Sequence, residues 1–115
     1  MPNYDTSVAA IFDALGDPTR LGVIKKLSRG PASVSELAAP CGMSLPSFMQ
    51  HLRLLEEVGL VTTAKVGRVR TCQLKPQALG TAEHWIALQR SAWEHKLDQL
   101  AALLDEPPPS SRKRS

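Results

Sequence analysis

Between Ser33 and Leu74 the apolar spacing changes from helical to alternating, and that order leaves few folds open. Ser33-Val34-Ser35-Glu36 fits a capping box, in which Ser33 and Glu36 each satisfy the other's orphan backbone N–H. The helix it opens is short, because Pro40 and Gly42 close it. Ser44 caps a longer helix with Pro46 in its first turn, a buried stripe of Phe48, Leu52 and Leu55, and Gly59 as a left-handed terminus. Leu60 to Val66 and Val69 to Leu74 are β-branched-rich runs joined at Gly67-Arg68, the pattern of a hairpin. Helix, turn, helix and hairpin in that order make a winged helix-turn-helix. One helix of such a unit is shaped for a DNA major groove, and the hairpin brings cations to the backbone.

The flanking segments predict a mainly α fold around this unit. Val8, Ile11, Phe12 and Leu15 recur at the spacing of an amphipathic helix that Gly16 ends. Asp17-Pro18 starts the next helix, with Leu21, Ile24 and Leu27 expected toward the core and Gly30-Pro31 as the stop. Pro76 ends the second strand, and the pattern from about Thr81 to Asp105 is helical again. Ile86, Trp93, Leu97, Leu100 and Leu104 form a heptad-like seam, which Trp85, Leu88 and Ala92 widen. Pro107-Pro108-Pro109 ends the structured part. The expected organisation is one domain over 1–106, combining DNA binding and dimerisation, and a disordered basic tail over 107–115.

With 115 residues the chain has room for one modest core, and with 4% aromatic residues that core must be mostly Leu, Val, Ile and Ala. The net charge of +3 equals the contribution of Arg112, Lys113 and Arg114 in the tail. Within the rest, residues 44–75 hold Arg53, Lys65, Arg68, Arg70 and Lys75 against Glu56 and Glu57, whereas residues 76–111 are net acidic. Positive charge thus gathers on the proposed reading unit, as a phosphate-facing domain requires. No apolar run approaches the roughly 18 residues of a membrane span. Met1-Pro2-Asn3-Tyr4-Asp5 shows no export signal, so the cytoplasm is the expected location and no membrane partner is expected. Cys41 and Cys72 show no paired spacing and read as free thiols.

Double-stranded DNA is the partner these residues predict. Ser44 and Ser47, at the start of the reading helix, can reach bases or phosphates beside free N–H groups. Gln50 is the candidate for direct readout, because its amide pairs bidentately with adenine. His51 fits either a DNA contact or a packing role at the margin of the core. Arg53 fits phosphate or an ion pair with Glu56 or Glu57. Arg68 at the wing tip, flanked by Lys65 and Arg70, is expected at the backbone or in the minor groove. One monomer makes too little contact to be selective. A dimer sets two reading helices about 34 Å apart, one DNA turn. The Trp-bearing face of the last helix is more apolar surface than one small domain needs.

Phe12-Asp13-Ala14-Leu15-Gly16-Asp17-Pro18-Thr19-Arg20-Leu21 resembles the opening signature of the ArsR/SmtB family of bacterial repressors. Ser44 to Val61, with Gln50-His51-Leu52 and Gly59-Leu60-Val61, looks like that family's recognition helix, and Gly67-Arg68 sits where the family has its wing tip. The similarity spans roughly residues 8 to 105. Leu45-Pro46-Ser47-Phe48 and the Trp85 to Glu94 helix resemble the branch without the usual metal boxes. Met49 departs from the pattern, since relatives often carry Ser there. The resemblance implies a homodimer built on the first and last helices, with Phe12, Trp85, Ile86, Trp93, Leu97, Leu100 and Leu104 at the interface. It also implies an inverted-repeat operator near the protein's own promoter and repression relieved by an inducer, whose identity the residues do not give.

Family members with a metal site on the last helix use Asp-x-His, ten residues, then His-x-x-Glu/His. Here His84 and His95 have that separation and Asp98 follows, but Ala82 takes the place of the first Asp. Two antiparallel helices of a dimer could bring such ligands together for zinc. The family's other site needs Cys-x-Cys, and this chain has Ala38-Ala39-Pro40-Cys41. No cofactor is therefore expected, with zinc on the last helix as the lesser alternative. Thiol sensing lacks a cation cluster beside either cysteine. An enzyme lacks its parts, since there is no Gly-rich phosphate loop, nucleophile motif or His/Asp/Glu constellation. A winged helix that binds protein instead of DNA is the competing class.

Overall fold

The computed structural model describes residues 4–104, with side chains from residue 7 onward. Five α-helices and a small sheet follow in the order α1 (Tyr4–Leu15), α2 (Pro18–Leu27), β1 (Ala32–Ser33), α3 (Val34–Ala38), a 3₁₀ turn (Ala39–Cys41), α4 (Leu45–Glu57), β2 (Val61–Val66), β3 (Val69–Leu74) and α5 (Pro76–Leu103). This is the expected winged helix-turn-helix. The described residues fall into two compact units, one ending at Ala82 and the other beginning at Glu83. The proposed tail lies outside the described residues.

Local chemistry sets the helix starts. Asp17 caps α2 by accepting from the Thr19 and Arg20 backbone N–H groups at 2.9 and 3.1 Å. The capping box forms as read: Glu36 N–H donates to Ser33 Oγ at 3.1 Å, and Ser33 N–H donates to Glu36 Oε1 at 2.9 Å. Ser44 caps α4 by accepting from Ser47 N–H at 3.3 Å. Gly59 follows α4 with φ of +82°, and Gly67 turns the hairpin with φ of +65°, conformations that a Cβ would strain.

The core of the first unit forms around α4. Phe48, Leu52 and Leu55 are fully buried with Leu37 and Leu60, and the same cluster holds Ile11, Ala14, Val23, Ile24, Leu27, Val61 and Cys72. One expectation fails here. Leu21 is 53% exposed, and Val23 is buried instead. At 100° per residue the stripe of Val23, Ile24 and Leu27 centres more than 100° from Leu21, which therefore sits on the far flank.

The hairpin pairs Val61 with Leu74 through Val66 with Val69. The sheet also has a third strand, in the order β1-β3-β2, with Ala32 opposite Cys72 and Ser33 opposite Thr71. Two residues after a proline carry no alternating pattern, so this strand left no mark in the sequence. The last helix begins at Pro76, not near Thr81. Proline is favoured at a first helical position, and the helix simply absorbs Gly80.

Candidate nucleic-acid interface

The polar side of α4 lies opposite its core stripe. Gln50, Arg53 and Glu57, together with Pro46, point away from Phe48, Leu52 and Leu55 and are exposed. Ser44 and Ser47 are exposed at the helix start, where Ser44 Oγ donates to Ser47 Oγ at 3.0 Å. The first residue of α4, Leu45, is 56% exposed and was not among the expected contacts. An apolar side chain at this position suits a thymine methyl. Among the described residues Arg53 forms no ion pair with Glu56 or Glu57. Its charge is available to an outside anion.

Strand register places the wing cations. Val61 and Leu74, Thr63 and Cys72, and Lys65 and Arg70 are directly opposite pairs at every second position, so they share one face of the hairpin. Val61 and Cys72 on that face are buried in the α4 core. Thr63 on the same face donates to Glu56 Oε2 of α4 at 2.7 Å. Lys65 and Arg70 therefore extend from the α4 side of the wing, beyond the core. Arg70 Nη2 makes a long contact of 3.5 Å to Thr63 Oγ1, and Lys65 and Arg68 are exposed. The other face carries the exposed pair Val66 and Val69.

His51 turns toward α2 and is half-buried. Arg20 Nη1 lies 3.1 Å from His51 Nδ1, and Asp17 Oδ2 lies 3.7 Å from the same nitrogen. Arg20 Nε also donates to the Ala14 carbonyl at 2.7 Å, and its Nη2 to the Asp13 carbonyl at 3.3 Å. The Arg20 backbone N–H holds the Asp17 carboxyl below the usual carboxylate range, opposed by partial desolvation and helped by the Arg20 guanidinium and the Thr19 N–H. Of the two roles open to His51, packing against the core margin fits this geometry. Reasoning from sequence missed Arg20. The available signal was its place in the Asp-Pro-Thr-Arg run that carries the family resemblance.

Cys72 is buried, and burial, with Glu56 adding and Arg70 opposing, pushes its thiol up. Cys41 is half-buried, with its thiol donating to the Leu37 carbonyl at 3.3 Å. Cys72 is thus not set up as a reactive thiolate.

In the second unit, the seam residues Ile86, Trp93, Leu100 and Leu104 are exposed, Trp93 at 63%, while Trp85 and Leu97 are half-buried. His84 and His95 lie on one helix, about 16 Å apart along its axis at 1.5 Å per residue. They cannot share an ion within one chain. Among the described residues no group of three or more His, Cys, Asp or Glu side chains could hold a metal. Among them also, no helix is long and apolar enough to cross a membrane.

Known proteins share both the sequence and this arrangement. A helix-turn-helix domain family matches residues 15–64. An HTH-type transcriptional regulator of Mycobacterium tuberculosis is 35% identical over 94 residues, covering 82% of this chain and 85% of the relative. The crystal structure of an ArsR family transcriptional regulator is 50% identical with a TM-score of 0.76, over 82% of this chain and 97% of that one. A solution structure from Mycobacterium bovis, described as a homodimeric winged helix-turn-helix DNA-binding domain of a possible ArsR-family regulator, is 26% identical with a TM-score of 0.59, over 82% and 84% of the two chains.

Proposed function

This chain belongs to the ArsR/SmtB family of winged helix-turn-helix transcriptional regulators, and from that footing we propose that it is a homodimeric repressor of an inverted-repeat operator. The observation that carries the proposal is the exposed polar surface of α4 with the exposed cations of the adjoining wing. Gln50 and Arg53 line the outer surface of α4, and Lys65 and Arg70 extend from the wing face that packs on it. In this reading α4 enters the major groove, Gln50 reads a base edge, and Ser44 and Ser47 meet bases or phosphate at the helix start. Arg53, Lys65, Arg68 and Arg70 neutralise backbone, which fixes register without specifying sequence. His51 supports α4 from behind.

The dimer of this proposal forms through the α5 seam of Ile86, Trp93, Leu97, Leu100 and Leu104, with Trp85. Ile86, Trp93, Leu100 and Leu104 expose apolar surface along α5, as an association face does, and the Mycobacterium bovis relative is described as homodimeric. Repression follows where the paired half-sites overlap a promoter. A gel shift with the protein's own upstream DNA at two salt concentrations tests the reading. Preference over random DNA with a steep loss of affinity at higher salt is expected. Equal, salt-insensitive binding to both DNAs, or none, assigns the winged helix to a protein partner instead.

A further inference from the structure

The Arg20 side chain joins three helices of the first unit. Its Nε and Nη2 donate to the Ala14 and Asp13 carbonyls in the last turn of α1, where the Asp13 carbonyl also accepts from the Gly16 N–H at 3.1 Å. A guanidinium there also suits the negative end of the α1 dipole. Its third nitrogen, Nη1, reaches His51 Nδ1, midway along α4. Arginine has no acceptor, so the contact is a hydrogen bond only when Nδ1 carries a lone pair and the ring proton sits on Nε2. Asp17, capping α2 from the residue before that helix, closes the cluster.

We propose that Arg20 and His51 are positioning residues that fix the rotation of α4 about its own axis relative to the end of α1, and through it the aim of Gln50. This deepens the reading of α4 as the DNA-contacting helix and rests on it. His51 lies at the margin between the buried stripe and the outer surface, one residue from Gln50. The core stripe of Phe48, Leu52 and Leu55 sets which face of α4 is buried, but its apolar contacts prefer no particular angle. A turn of about 20° swings a side-chain tip, roughly 6 Å from the axis, by about 2 Å. That exceeds the tolerance of a base-edge hydrogen bond. A directional bond from a rigid, planar guanidinium, itself anchored at two carbonyls, supplies what the core lacks.

The experiment uses the full chain and four variants: His51→Leu, His51→Asn, Arg20→Met and the Arg20→Met/His51→Leu double. The first readout is the ratio of operator to random-DNA affinity at fixed salt, by fluorescence anisotropy. His51→Leu and Arg20→Met should each lower that ratio about tenfold, the size of one lost hydrogen bond to a charged group. The double variant should lose no more than either single. His51→Asn should keep most of the ratio, because its amide oxygen stands near the place of Nδ1. Losses that multiply in the double variant would mean two independent DNA contacts and overturn the proposal, as would an unchanged ratio in His51→Leu. If Arg20→Met does not fold, the two His51 variants decide alone. The second readout needs no DNA: amide exchange in α4 of the free protein should quicken in His51→Leu and return in His51→Asn. A wild-type chain without operator preference sinks the functional reading; identical α4 exchange in all variants sinks the tie itself.

Discussion

Asp17 carries both a helix start and part of the support behind α4, so its effects separate by pH. The two backbone N–H donors at 2.9 and 3.1 Å favour the ionised carboxylate, and its pKa lies below the usual range. A depressed folded pKa means stability that is present above the unfolded value and lost as pH falls through the folded one. Asp17→Ala should therefore lower unfolding free energy by about 1 kcal/mol at pH 7, the usual worth of an N-cap. Urea titrations should show the gap to wild type narrowing below the ordinary carboxylate range, where wild-type Asp17 is itself neutralised. Gln50 is a different kind of residue, exposed on the outer surface of α4. Gln50→Ala should leave stability unchanged and remove about 1–3 kcal/mol of discrimination at one base pair. Competition with singly substituted duplexes measures it; an intact base preference would take direct readout away from Gln50.

Among the elements, the wing divides its cations between fold and surface. Arg70 leans on Thr63 and so on Glu56, whereas Arg68 stands exposed beside Gly67 at the turn. Arg68→Ala should weaken operator and random DNA alike and reduce the slope of log affinity against log salt by about one. A salt series on both DNAs checks this, and an unchanged slope would remove the wing tip from the interface. What made the wing and α4 legible in the sequence was local chemistry. The capping box, the Ser44 cap, Gly59, and the alternation around Gly67 are all settled within a few residues. The helical period also placed Gln50 and Arg53 outward. Where the deciding contact was distant, the sequence was silent. Arg20 and His51 are 31 positions apart, and nothing in either segment encodes their meeting. Strand β1 exists only because β3 is there to pair with it. Leu21 and Val23 are one phase apart on a short helix, and the core on one side, not their hydrophobicity, decides which is buried.

For the molecule as a whole, specificity depends on joining two copies. A single α4 and wing offer a handful of polar side chains, and most of their affinity is to backbone, which every sequence shares. Linking two such units turns the second contact into an intramolecular event and can raise affinity 10²–10⁴-fold, provided the spacing matches the half-sites. In the proposed dimer the link is the α5 seam, where Trp93 and Leu104 are 63% and 61% exposed in the single chain. A charge placed there must be desolvated in each subunit on the association face. Trp93→Glu should therefore give a folded monomer by light scattering, with an unfolding transition for the first unit close to wild type. Its operator affinity should fall by at least about 100-fold, while binding to random DNA at low salt falls far less. Retention of the dimer in this variant and in Leu100→Glu would move the interface off the seam. Monomers that still select the operator at full strength would mean that one reading helix suffices, and the inverted-repeat architecture would lose its physical reason.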